Sequence, residues 1–109
     1  MTIPEIPFHT TDWDSIETTR HKGDTGFALW KTIHIGNIRV RQVEYSENYM
    51  ADHWCSKGHI LLCIEGEMTT ELNDGRQFIL KKGTSYQVGD DMEPHRSFTQ
   101  KGCKLFIVD

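Results

Sequence analysis

Several things are missing from this 109-residue chain, and each absence narrows what it does. No apolar run approaches the roughly 20 residues that a membrane-spanning helix needs. No stretch of Lys or Arg stands out: 12 basic residues face 16 acidic ones, for a formal charge of -4. That balance argues against nucleic acid and anionic membrane as partners. Met1–Pro7 has neither the charged start nor the apolar stretch of a secretory leader, so the expected location is the cytoplasm. There are only three cysteines, an odd number, which argues for reduced thiols rather than a disulfide framework. Internal repeats, low-complexity tracts, Gly-rich phosphate loops, Ser-His-Asp sets and close carboxylate pairs are absent as well. No segment keeps a 3.6-residue apolar period, which leaves little room for helix.

What is present reads as strands. Expected strands are 27–34, 38–45, 49–55, 59–72, 77–80, 85–88, 95–100 and 103–108, separated by turn residues such as Gly36-Asn37, Asn73-Asp74-Gly75 and Lys82-Gly83. Short strands at this spacing imply a single all-β sandwich or barrel domain. Residues 1–26 read as an N-terminal arm and loop, extended at Pro4 and Pro7, with one helical turn capped by Asp14 and Glu17 reaching back to it. Residues 27–109 form the barrel. Cys63 and Cys103 sit in apolar contexts and are expected in the core. The run Ile60–Ile64 is apolar at every position, which predicts a covered outer face. Either a partner subunit, making a homodimer, or the N-terminal arm supplies that cover.

The chemistry concentrates in Asp52-His53-Trp54-Cys55-Ser56-Lys57-Gly58-His59, with His95 in Glu93-Pro94-His95-Arg96. Along a strand, His53 and Cys55 would point the same way. His59 would return to the same interior after a turn, and His95 would enter from another strand. Imidazole and thiolate suit a borderline-soft divalent metal, zinc first, with nickel, iron and copper behind. Without a metal, Cys55 flanked by histidines reads instead as an activated thiolate. His9, His21 and His34 have no partner at ligand spacing. Trp30, Tyr45, Tyr49 and Tyr86 are candidate walls of a small-ligand pocket. Arg39 and Arg41 share a face: inward they would clamp an anion, outward they would form a solvated edge. The outward reading is preferred because Ile38 and Val40 occupy the other face.

His-x-Cys-x3-His-x6-Gly, from His53 through Gly66, resembles the first cupin motif, with His53 and Cys55 at the positions of its two His, His59 at the Glu and Gly66 at the closing Gly. Gly83 and His95 are similar to elements of the second motif, with one extra residue between them. The resemblance covers about residues 27–108 and is nearest to small single-domain cupins of the DHCW-motif kind. It implies a double-stranded β-helix, or jelly roll, holding a metal through His53, Cys55, His59 and His95. Departures from the pattern include Glu47, Gly89 and Asp91 where the motifs carry Gly, Pro and Gly. Two of the four family ligands are replaced by Cys55 and His59. The family's oxygenase, isomerase and decarboxylase chemistries therefore transfer weakly. Two readings stand: a metal-dependent enzyme acting on a small organic acid or sugar-like molecule, or a non-enzymatic ligand-binding or structural module with a closed zinc site.

Overall fold

The computed structural model describes residues 3 and 5–109; Pro4, expected to extend the arm, lies outside the described residues. Nine strands form among them: β1 (Thr18–Lys22), β2 (Phe27–Ile35), β3 (Ile38–Tyr45), β4 (Tyr49–Met50), β5 (His59–Leu72), β6 (Gln77–Lys81), β7 (Ser85–Val88), β8 (His95–Thr99) and β9 (Cys103–Val108). The architecture is all-β, a jelly-roll half-barrel in which pairing runs β1-β2-β3-β9-β5-β8-β4, with β6 and β7 also on β5. All pairings are antiparallel.

Turn chemistry places the strands. Gly36 and Gly75 take positive φ, as the tight connections β2-β3 and β5-β6 demand. Gly66 has φ +82, and a Cβ there would meet the Gly102 carbonyl oxygen at 2.5 Å. It follows a register shift between Cys63 and Glu65, where β5 bends from one sheet into the other. Inside, Val43, Leu61, Cys63, Met68, Leu105 and Ile107 form the core. Cys63 and Cys103 are buried free thiols, and burial, with a nearby Cys63, pushes the Cys103 thiol up to about 12.

Four expectations change. The segment expected as an arm contributes a strand: β1 pairs with β2 from Thr18↔Lys31 to Lys22↔Phe27. Its Thr-Thr-Arg-His-Lys sequence carries no apolar signal because an exposed edge strand has no buried face to encode. The helical turn is a 3₁₀ turn at Trp13–Ser15, and its cap is Asp12 rather than Asp14; the Asp12 carboxylate accepts from the Asp14 N–H. The arm does not supply the cover expected for the outer face of β5, which leaves a partner subunit as the other source: Leu61 and Cys63 point inward, whereas within the chain Ile60, Leu62 and Ile64 are 46%, 39% and 41% exposed. Near it the arm touches Phe106, with Trp13 edge-on at 6.0 Å, and leaves those three side chains open.

The fourth change concerns Arg39 and Arg41, expected outward. Their face of β3 also carries Val43 and Tyr45, and it faces the barrel interior; Arg41 is only 6% exposed. Burial of a guanidinium requires an acceptor. The side chain of Asp109, in the backbone pair Arg39–Asp109 just beyond β9, supplies it.

Candidate metal centre and pocket

Cys55, His59 and His95 converge, with one ligand atom from each lying within 4.8 Å of the others. The backbone explains how. Ala51 N–H donates to the Ser97 carbonyl, and Cys55 exchanges two hydrogen bonds with His95, at 2.7 and 3.0 Å. Between these points the chain from Ala51 to Cys55 advances four residues while β8 advances two. The expected strand 49–55 therefore stops at Met50, and residues 52–54 bulge out. His53 and Cys55 consequently do not share a face. The structure leaves His53 outside the cluster: its side chain is 72% exposed and its Nδ1 lies 2.6 Å from the Asp52 carboxylate. It reaches only the pocket rim. The Ser56-Lys57-Gly58 turn is fixed from the other side, where Gly58 N–H donates to Asp90 and Asp91 N–H donates to the Ser56 carbonyl. Gly58 is needed there, since a Cβ would meet Asp90 N at 2.6 Å. This turn delivers His59 at the start of β5.

The two imidazoles are oriented by what holds their outer nitrogens. His95 Nδ1 lies 2.9 Å from the Glu93 carbonyl, which only accepts, so that nitrogen carries the proton. His59 Nδ1 faces Asp109 Oδ2 at 3.4 Å, again an acceptor, although the pair lacks hydrogen-bond alignment and Nδ1 has no aligned partner. His95 Nε2 therefore turns its lone pair inward, 2.8 Å from His59 Nε2, and at that distance a proton or a cation must lie between the two nitrogens. Carboxylate- and carbonyl-anchored imidazoles with free inner nitrogens are the usual arrangement of metal-bound histidines. Contact with His95 pulls the Cys55 thiol below its ordinary range against the opposing effect of burial, and the same contact raises His95. A readily ionised thiol beside two inward-facing Nε2 atoms fits a divalent metal.

The cluster forms part of the wall of an interior pocket of about 130 Å³. Trp30, Tyr45, Tyr49 and Tyr86, the expected wall residues, all line it. Tyr45 and Tyr49 stack at 4.1 Å, and the Tyr86 hydroxyl lies 3.0 Å from His59 Nε2. Burial holds the Tyr86 phenol far above its ordinary value, so it stays protonated. His21, expected to be ordinary, stacks on the Trp30 ring at 3.7 Å and braces it from the β1 edge.

Sequence reasoning missed the pocket's charged frame. The Asp109 side chain is completely buried; Arg39 Nε and Nη2 donate to it at 2.9 and 3.0 Å, and Arg41 Nη2 donates at 3.0 Å. Burial alone would raise this carboxyl, but the nearby His59 ring, the hydrogen bonds from Arg39 and the Arg41 charge outweigh it and hold Asp109 well below the usual carboxylate range. Val43 and Tyr45, which continue the i, i+2 series of Arg39 and Arg41, were the available signal that this face turns inward. A wider surface cleft of about 520 Å³ shares His59 and Asp109 with the pocket. Its other lining residues, such as Asn37, Lys57, Gln87 and Asp90, bring no further metal-ligand cluster, so the chemistry lies in the smaller space.

No protein-family model matches the sequence. No curated protein matches it either. Solved structures do match in shape. An RmlC-like cupin from Shewanella frigidimarina NCIMB 400 superposes with TM-score 0.75 at 14% identity, over 94% of this chain and 89% of that one. Fe(II)-HppE with the alternative substrate (S)-1-HPP superposes with TM-score 0.77 at 16% identity, over 94% of this chain but only 60% of that one. Ectoine synthase from P. lautus gives 0.72 at 17% identity, over 93% and 76%. At these identities the likeness is one of fold: the chain has the cupin jelly roll. One of these neighbours carries Fe(II), and two are enzymes by name.

Proposed function

We propose that this protein is a metal-dependent enzyme of the small single-domain cupin kind, akin to the DHCW-motif cupins, acting on a small organic acid or sugar-like molecule. The observation that carries this reading is the convergence of the Cys55 thiol with the inward Nε2 atoms of His59 and His95 on the wall of a pocket. Three protein ligands leave a coordination position free for water or substrate, which is the pattern of catalytic rather than structural zinc sites. A divalent ion held there supplies Lewis acidity toward a substrate oxygen or a water. The chain's own residues do the rest. Asp109 and the Glu93 carbonyl fix the imidazoles. The aromatic wall excludes water, and the protonated Tyr86 hydroxyl stands ready to hydrogen-bond a bound oxygen.

The thiolate in the set favours zinc, with nickel, iron and copper behind; the Fe(II) of one structural neighbour keeps iron among the metals to assay. Reduced Cys55, Cys63 and Cys103 fit the cytoplasm, and among the described residues no helix is long and apolar enough to cross a membrane. The bare stripe Ile60, Leu62 and Ile64 favours a homodimer buried on this face. The sequence, with 12 basic against 16 acidic residues and no Lys or Arg run, gives no reason to expect nucleic acid or membrane as a partner.

Metal analysis combined with X-ray absorption tests the proposal. About one metal per chain is expected, ligated by one sulfur, two imidazoles and one lighter exchangeable atom. A closed shell with a third imidazole from His53 would instead identify a non-enzymatic zinc module. Protein that binds no metal in any preparation would sink both readings and leave Cys55 as a thiolate nucleophile.

A further inference from the structure

We infer that the pocket beside Cys55, His59 and His95 binds its ligand as an anion, a short-chain or single-ring carboxylate, through the buried guanidinium of Arg41. The inference rests on the reading of this pocket as a ligand site and selects the acid over the sugar-like alternative.

Arg41 is 6% exposed and lines the pocket. Its Nη2 is taken by Asp109 at 3.0 Å, yet its Nε is buried with no hydrogen-bond partner. A buried donor without an acceptor is costly, and native interiors rarely leave one on a charged group. Trp30 fixes the guanidinium from one side, with its ring centroid 4.4 Å from Cζ. The donor is therefore held in place, not searching for water.

Charge counting points the same way. Arg39, Arg41 and Arg96 all border the pocket, and Asp109 is the carboxylate among its lining residues. Arg39 and Arg41 share that one carboxylate. Arg96 pairs with Glu71 through Nη2 at 3.2 Å, but its Nε is likewise buried and unpartnered. With Arg96 neutralised by Glu71, Arg39 and Arg41 face Asp109 alone, one positive charge in excess while Cys55 is a thiol; once Cys55 ionises on a divalent metal, the ion more than restores that excess. A neutral polyol would leave the Arg41 Nε without a charged acceptor. A carboxylate supplies one, setting a full negative charge and a fork of two oxygens against the planar guanidinium, which a hydroxyl cannot do. Size sets the other limit. At about 130 Å³ the space is well below the roughly 300 Å³ of drug-sized sites, which suits an acid of a few carbons or one ring rather than a sugar phosphate or a nucleotide.

The test is calorimetric titration of the metal-loaded protein with glycolate and benzoate, and with their neutral amides glycolamide and benzamide, at constant ionic strength. At least one acid should bind about tenfold or more tightly than its amide, the size of one charged hydrogen bond. Arg41→Gln should abolish that preference while metal content and far-ultraviolet circular dichroism stay unchanged. Should Arg41→Gln fail to fold, the acid-against-amide comparison in the wild type decides alone. Equal binding of acid and amide, an unchanged preference in Arg41→Gln, or no binding of either acid at millimolar concentration overturns the inference. Repeating the titration on protein that carries no metal separates this idea from the enzyme proposal. Acid preference in a protein that never takes up metal supports the anion site and sinks the metal reading; metal uptake without acid preference does the reverse.

Discussion

Asp109→Asn is the most direct probe of the pocket's charged frame. The carboxylate is fully buried and accepts three guanidinium hydrogen bonds, two from Arg39 and one from Arg41. Asn keeps the shape but offers one neutral acceptor. Arg39 is 27% exposed at its side chain and can regain water, whereas Arg41, 7% exposed, cannot. One buried cation is thus left uncompensated. Breaking a buried pair costs about 3–5 kcal/mol, and with one partner able to rehydrate the low end, about 3 kcal/mol, is expected at pH 7. For a domain of this size that is a fall in Tm of roughly 10–15 °C. Urea unfolding across a pH series adds a second check. The folded Asp109 carboxyl is depressed below its unfolded value, near 3.9. Its contribution is therefore fully present above that value and is lost as pH falls toward the folded one. The gap between wild type and variant should be constant above about pH 5 and narrow progressively below about pH 4. A loss under about 1 kcal/mol at neutral pH would refute the reasoning, because it would mean that Arg41 is solvated in place and the pair is not dry. So would a gap that persists unchanged to pH 2.

Three further outcomes are expected. His95→Ala should lower metal affinity by more than the roughly 10–100-fold typical of supporting residues, while His53→Ala, altering an exposed side chain, should change it less than threefold; competition with a chromophoric chelator measures both. After chelation, iodoacetamide at pH 7 should modify Cys55 first, because contact with His95 lowers its thiol while burial raises Cys63 and Cys103, and added metal should protect it; mass spectrometry locates the label. Leu62→Glu should convert a dimer to a monomer in sedimentation velocity with unchanged metal content, and a wild type that sediments as a monomer at high micromolar concentration would remove the dimer proposal.

The sequence speaks clearly wherever structure is local. Asn73-Asp74-Gly75 and Gly36-Asn37 mark hairpins because positive φ must fall somewhere in a tight reversal, and it falls on Gly75 and Gly36. The run Ile60–Ile64 marks a core strand but not its inner face, since every position is apolar; the structure turns Leu61 and Cys63 inward. The spacing of Cys55 and His59 singles out the metal cluster, and His95 joins it because β8 lies across the barrel. What the sequence conceals is non-local. Arg41 turns inward only because Asp109, 68 residues away, lies across the β3–β9 pair to neutralise it. His53 turns outward because two extra residues must bulge between the Ala51–Ser97 and Cys55–His95 contacts, a count that no strand pattern contains. β1 escapes notice because an edge strand of Thr, Arg, His and Lys is written to resist further pairing, not to bury a face.

The 14-residue β5 pairs through its first half with β7 and β9 and through its second half with β6 and β8. It is therefore the only strand, among those described, that is hydrogen-bonded along both sheets for most of its length. The two sheets cannot part like a clam while that strand stays whole. Any opening wide enough to expose its central amides must disrupt both layers at once. Hydrogen exchange at Leu61–Thr70 should accordingly proceed only through global unfolding, whereas β1 and the 52–54 bulge exchange by local fraying. His59, at the first residue of that strand, is thus anchored to the most cooperative element of the molecule, while Cys55 depends on its two backbone bonds with His95 at the edge of the 52–54 bulge. Local opening there would release Cys55 while His59 stays in place.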